Sequence, residues 1–121
     1  MAEIQPMLHT KDISTLRDFY ESLGFTQELL YAPEEEPNWL RLQFQGTSIM
    51  LQSNDQAQPN EAMHDVELYF VCDEIDGIYA TWKRRGIDVT QPKTAFYGYK
   101  QMYVRDPDGR RVCFESVVRS S

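Results

Sequence analysis

Sliding the 121-residue chain along itself by 62 positions brings two amphipathic segments into register. Ile13 falls on Ile75, Leu16 on Ile78, Tyr20 on Trp82 and Gly24 on Gly86. Ile13, Leu16, Phe19, Tyr20 and Leu23 form one stripe; Ile75, Ile78, Tyr79 and Trp82 form the other. Both have the period of a helix that buries one face. A glycine closes each stripe, where a helix C-terminus favours a residue that tolerates positive φ. A chain of two such halves is restricted to folds that use one supersecondary unit twice.

The flanking segments repeat the same order. In the first half, Ile4–Thr10 reads as a strand, and Asp12 or Ser14 can cap the helix that follows. Phe25–Tyr31 can form a second strand. Trp39–Phe44 and Ser48–Gln52 alternate with a period of two around the turn Gln45-Gly46-Thr47. In the second half, Val66–Cys72 reads as a strand, and the later strands Gln101–Arg105 and Arg111–Glu115 flank the turn Asp106-Pro107-Asp108-Gly109. Glu34, Glu35 and Glu36 read as a solvated turn. Residues 54–64 are polar, include Pro59 and show no period, so they read as a linker. The expected architecture is a single α+β domain, residues 1–121, with a first βαβββ module at 1–53 and a second at 65–121.

Composition narrows the function. The formal net charge is −7, which argues against a phosphate-backbone grip and against an anionic membrane surface. No apolar run approaches the roughly 20 residues of a membrane span, and the first residues lack a secretory pattern. A cytoplasmic protein with reduced Cys72 and Cys113 is expected. The two cysteines and the two histidines, His9 and His64, are too few for a four-thiolate or three-histidine metal site. No Gly-rich phosphate loop and no G-x-S-x-G elbow is present.

The strands separate into two faces. Leu40, Leu42 and Phe44, with Ile49 and Leu51, make an apolar face that can meet a helix; Leu68, Phe70, Val112 and Phe114 do the same in the second half. The opposite face is mixed. It carries Gln5, His9, Trp39, Arg41 and Met50 in the first module. In the second it carries Glu67, Tyr69, Gln101, Tyr103, Cys113 and Glu115.

The order of these elements, with Asp12, Phe19-Tyr20 and Leu23-Gly24-Phe25 in one half and V-E-L-Y-F-V-C-D (66–73), Gly86 and Asp106-Pro107-Asp108-Gly109 in the other, resembles the vicinal oxygen chelate superfamily. This is the glyoxalase, bleomycin-resistance and extradiol-dioxygenase group, and the resemblance covers nearly the whole chain. It implies mixed sheets that curl into an open half-barrel, helices outside and the mixed faces lining a concave surface. A homodimer is also implied. Such a surface suits a small molecule.

The resemblance also implies where a metal would be held. The four ligand positions fall at Gln5, Met50, Glu67 and Cys113. A thioether and a thiol replace the expected hard donors, so only one strong oxygen ligand survives. A relocated set, with Gln52, Glu115 and His9 joining Glu67, is the alternative. The second module looks most like the metal-free bleomycin-resistance branch. The reading is therefore a protein that binds an aromatic or cationic small molecule, with no cofactor. Its expected ligand-binding residues are Gln5, His9, Trp39, Arg41, Met50, Glu67, Tyr69, Tyr99, Tyr103 and Cys113. Glu67 is the candidate general base if the protein is an enzyme, with pairing to Arg41 or Arg111 as the plainer alternative. Cys113 is a nucleophile only if a neighbouring cation lowers its pKa. Phe96-Tyr97-Gly98-Tyr99 reads as a lid or an ordinary surface loop. A metal-dependent lyase or isomerase of the glyoxalase type and a non-catalytic interaction module with a vestigial cavity are the other readings.

Overall fold

The computed structural model describes residues 2–33, 37–58 and 66–118. Glu34–Glu36, Pro59 and His64 lie outside the described residues, and with them the solvated turn and most of the expected linker. The chain divides into two compact units, Met1–Ala62 and Met63–Ser121.

The first unit runs β1 (Met7–Thr10), α1 (Ile13–Ser22), β2 (Thr26–Tyr31), β3 (Trp39–Phe44) and β4 (Thr47–Ser53). Its sheet has the order β1-β4-β3-β2, with β1 parallel to β4 and the other pairs antiparallel. The second unit runs β5 (Leu68–Val71), α2 (Asp76–Arg84), β6 (Lys93–Thr94), β7 (Tyr99–Arg105) and β8 (Arg111–Val117). Its sheet order, β5-β8-β7-β6, is the same topology, again with one parallel pair. The fold is therefore α+β, two βαβββ modules with one mixed four-stranded sheet each.

The helix ends explain why the 62-residue repeat shows in the sequence. At the end of α1, the Phe25 N–H donates to the Tyr20 carbonyl (3.1 Å) and the Gly24 N–H to that of Glu21 (3.0 Å). Gly24 has φ +111°. At the end of α2, Ile87 N–H donates to Trp82 (3.0 Å) and Gly86 N–H to Lys83 (3.1 Å), with Gly86 at φ +78°. Both helices thus stop in the same left-handed turn, which satisfies their last carbonyls. The apolar contact that accompanies this turn is visible in the first module, where the Tyr20 and Phe25 rings meet edge-on at 5.2 Å. Asp12 caps α1 by accepting from the Thr15 N–H (3.1 Å) and hydroxyl (2.7 Å). These bonds to Thr15, the side-chain one foremost, hold its carboxyl below the usual range.

Each helix packs on the apolar face of its own sheet. Tyr20 and Leu16 are fully buried, with Leu40, Leu42 and Leu51. In the second module Trp82 meets Phe114 edge-on at 4.9 Å, and Phe114 stacks on Phe70 at 4.9 Å. Cys72 is buried on this side, its thiol directed to the Phe70 carbonyl, and burial pushes that thiol up to about 11.

Several boundaries differ from the expectation. β1 begins at Met7 and β5 at Leu68, leaving Gln5 and Glu67 just before their strands. β7 starts at Tyr99 and pairs with the two-residue β6, which shows no periodicity because it is too short to have one. Residues 95–99 are consequently the turn of a hairpin. The Ala95 N–H donates to the Tyr99 carbonyl (2.7 Å) and the Gly98 N–H to that of Ala95 (3.1 Å), which makes this segment a hydrogen-bonded turn. The last strand continues to Val117. The Asp106–Gly109 turn is more than a surface reversal. Arg110 is buried across it and donates to Asp106 Oδ2 and Asp108 Oδ2, both at 3.1 Å.

Candidate ligand-binding face

The face of each sheet away from its helix carries the sequence-predicted residues, module by module. In the first, the register places Trp39 opposite Gln52 and Arg41 opposite Met50, with Met7 next to Met50 and His9 next to Gln52. Arg41 is the centre. Its Nη1 donates weakly to Gln5 Oε1 (3.5 Å), and its Nε lies 3.7 Å from Glu28 Oε1. The same Glu28 oxygen accepts from the Ser48 hydroxyl (2.8 Å). Glu28 and Ser48 were not read as site residues. A register shift between Gln27 and Leu29 puts Glu28 at a bulge, and a bulge is invisible to an alternation argument. His9 is exposed and hydrogen-bonds the Asn54 amide (3.2 Å).

In the second module, one row across the sheet reads Tyr69, Cys113, Tyr103, and the next reads Val71, Glu115, Gln101. Glu115 is buried, at 6% exposure. Its Oε1 accepts from the Tyr97 hydroxyl (2.8 Å) and from Gln101 Nε2 (2.9 Å). Gln101 Nε2 also reaches the Tyr97 oxygen, and Gln101 Oε1 accepts from the Tyr103 hydroxyl (3.2 Å). The hydrogen bond to the Glu115 carboxylate, then burial, pushes the Tyr97 phenol up to about 12. Burial, with Tyr69 alongside, raises the Tyr103 phenol as well. From the sequence, Glu115 is a residue of the mixed face and a relocated metal ligand, not the centre of a network. The signal for its larger role was its place two residues beyond Cys113, opposite Gln101.

Glu67 sits half-exposed ahead of β5 and is paired with Arg111 Nη2 at 2.9 Å. Arg111 in turn lies over the Tyr103 ring, 4.6 Å from its centre. This is the ion pair weighed as the plainer alternative to a buried base. Burial, with the Glu115 charge next, pushes the Cys113 thiol up to about 12. Arg111 pulls the other way and is outweighed, so the thiol is neutral at physiological pH and is no activated nucleophile. A cleft of about 290 Å³ beside Tyr103 and Arg111 is bounded further by Asp88, Thr90 and Arg105.

The donor set tests whether a divalent ion fits. Gln5 faces Arg41, Met50 offers a thioether, Glu67 is held by Arg111, and Cys113 keeps its proton. Such a set does not fit a hard divalent ion. In the relocated set, Gln52 Nε2 donates to the Asn38 and Ser53 carbonyls (3.0 and 3.1 Å), and Glu115 Oε1 accepts from Tyr97 and Gln101. Among the described residues, no three His, Cys, Asp or Glu side chains are grouped to hold a metal. No described helix is long and apolar enough to cross a membrane.

Repeated topology and a polar, aromatic sheet face opposite each helix define a paired-module βαβββ protein. The chain belongs to the glyoxalase/bleomycin resistance protein/dioxygenase superfamily, whose family model matches residues 4–114. Solved structures agree in fold. A bleomycin-binding protein complexed with bleomycin superposes with a TM-score of 0.74 at 20% identity, covering 99% of this chain and 100% of its own. A glyoxalase/bleomycin resistance protein/dioxygenase from Alicyclobacillus acidocaldarius gives 0.77 at 19%, over 98% and 92%. The bleomycin resistance determinant encoded on transposon Tn5 gives 0.73 at 19%, over the full length of both. A search of curated proteins gave no match.

Proposed function

We propose that this protein binds a small molecule on the mixed faces of its sheets, without metal chemistry. The observation that carries this reading is the Tyr97–Gln101–Glu115–Tyr103 network. Polar groups held in fixed orientation among aromatic rings are what a specific small-molecule site requires. The likeness in fold to a bleomycin-binding protein and to a bleomycin resistance determinant is consistent with it. So is the donor set, which offers a divalent ion one ion-paired carboxylate, a thioether and a protonated thiol. A homodimer in the cytoplasm belongs to the same reading.

Two measurements test it. Protein freed of metal and remelted with excess zinc, nickel or manganese should show no rise in Tm, since a tight ion that binds only the folded chain would raise it. One equivalent of metal lost on Glu67→Ala would overturn the metal-free reading. In a fragment screen by protein-observed NMR, saturable binders should perturb the Tyr69 and Tyr103 signals. A chain that takes none would instead be an interaction module whose face is vestigial.

A further inference from the structure

From the Glu115 network we infer that the ligand carries an organic cation, an ammonium or guanidinium group, and that Glu115 seats it; this rests on the small-molecule reading above. Glu115 is buried, yet neither of its hydrogen-bond partners is charged. No lysine or arginine among the described residues pairs with it. Both bonds end on Oε1, so Oε2 accepts none from the described residues. A buried carboxylate with only neutral donors carries a desolvation cost that a cation would offset.

The surroundings suit a cation. Tyr97 and Tyr99 stand 5.3 Å apart, inclined at 42°. Tyr69 lies in the adjacent row of the sheet on the same face, and is 42% exposed. Ring faces attract organic cations, most strongly where water is excluded. The face already holds one cation this way, because Arg111 covers the Tyr103 ring. Arg111 is balanced by Glu67; four positions further along β8, Glu115 has no such partner among the described residues. Val71, its neighbour on the edge strand β5, is 65% exposed, which leaves a way in. The thiol of Cys113 next to it is neutral, so it neither repels nor replaces the incoming charge.

Choline and its uncharged carbon isostere, 3,3-dimethylbutan-1-ol, are the probes, titrated into the full chain with ¹³C-labelled tyrosine and read by NMR. Choline should shift the Tyr69, Tyr97 and Tyr99 signals saturably, and the isostere should bind at least tenfold more weakly. Glu115→Gln keeps the side-chain shape and should erase that preference. Equal binding of the two probes, or an unchanged preference in Glu115→Gln, would overturn the cation seat and leave the small-molecule reading intact. If neither probe binds, the cation seat fails, and the fragment screen decides the broader reading by itself.

Discussion

The two modules share a topology and a helix stop, but they treat the carboxylate on the mixed face differently. In the first, the carboxylate on the mixed face, Glu28, has the Arg41 guanidinium beside it. In the second, Glu115 sits on the inner strand β8, and among the described residues its partners are a phenol and an amide. The edge strands differ too. β2 has six residues, all exposed, whereas β6 has two. The short β6 lets the chain turn early, and that turn delivers Tyr97 over the sheet to Glu115. A duplicated scaffold therefore carries an ion-paired carboxylate in one copy and, among the described residues, a carboxylate with neutral partners in the other. The scaffold is set by the apolar side of each sheet, and the opposite side is left to diverge.

The sharpest way to break the scaffold equivalence is to remove the large helix residue in each copy. Tyr20→Ala and Trp82→Ala should each lower the unfolding free energy by about 3–5 kcal/mol in denaturant titrations. A loss below ~1 kcal/mol at either position would show that its helix is not a structural counterpart of the other. The glycines give a finer comparison. An added Cβ at Gly24 would meet Phe44 at an ordinary 3.7 Å, and one at Gly86 would meet nothing within 4 Å. Gly24→Ala and Gly86→Ala should then cost the same, roughly 1–2 kcal/mol each, because only the left-handed backbone is penalised. Unequal costs would point to a steric contribution in one copy.

The charge difference is read by titration. Replacing Glu115 with Gln should bring the Tyr97 phenol down from about 12 towards the ordinary value, seen in pH-dependent tyrosine NMR. The sign for stability follows. Between pH 10, where an unfolded tyrosine loses its proton, and about 12, the folded chain retains it, so stability falls as pH rises through that window. The fall should be shallower in Glu115→Gln, and an identical slope would refute the coupling. The smallest effect belongs to the exposed pair. Glu67→Ala should change stability by less than ~1 kcal/mol, as half-exposed ion pairs do, and a larger loss would give Glu67 a role beyond pairing with Arg111.

How much was legible follows from the physics of each element. The helices, their glycine stops and the long strands declared themselves through periodicity, because one buried face imposes a repeat on the residues that fill it. The mixed face was legible by the same alternation, including Tyr69, Tyr103 and Cys113. The bulge at Glu28 and the two-residue β6 left no periodic trace. Glu67 read as a strand residue, but β5 starts one residue later, and it lies beside Arg111 instead.

The sequence by itself determined the doubled βαβββ order, the family, and a donor set at the four metal positions that is too soft for a hard ion. These are properties of residue type and spacing, which local structure transmits unchanged. Only the tertiary structure decided which polar groups face one another. Tyr97 reaches Glu115 across 18 residues of chain and Arg111 reaches Glu67 across 44. Such pairings depend on where strands start, how a hairpin turns and which neighbour shares a row, and no local pattern encodes them. The neutral partners that Glu115 has among the described residues are therefore a product of the fold.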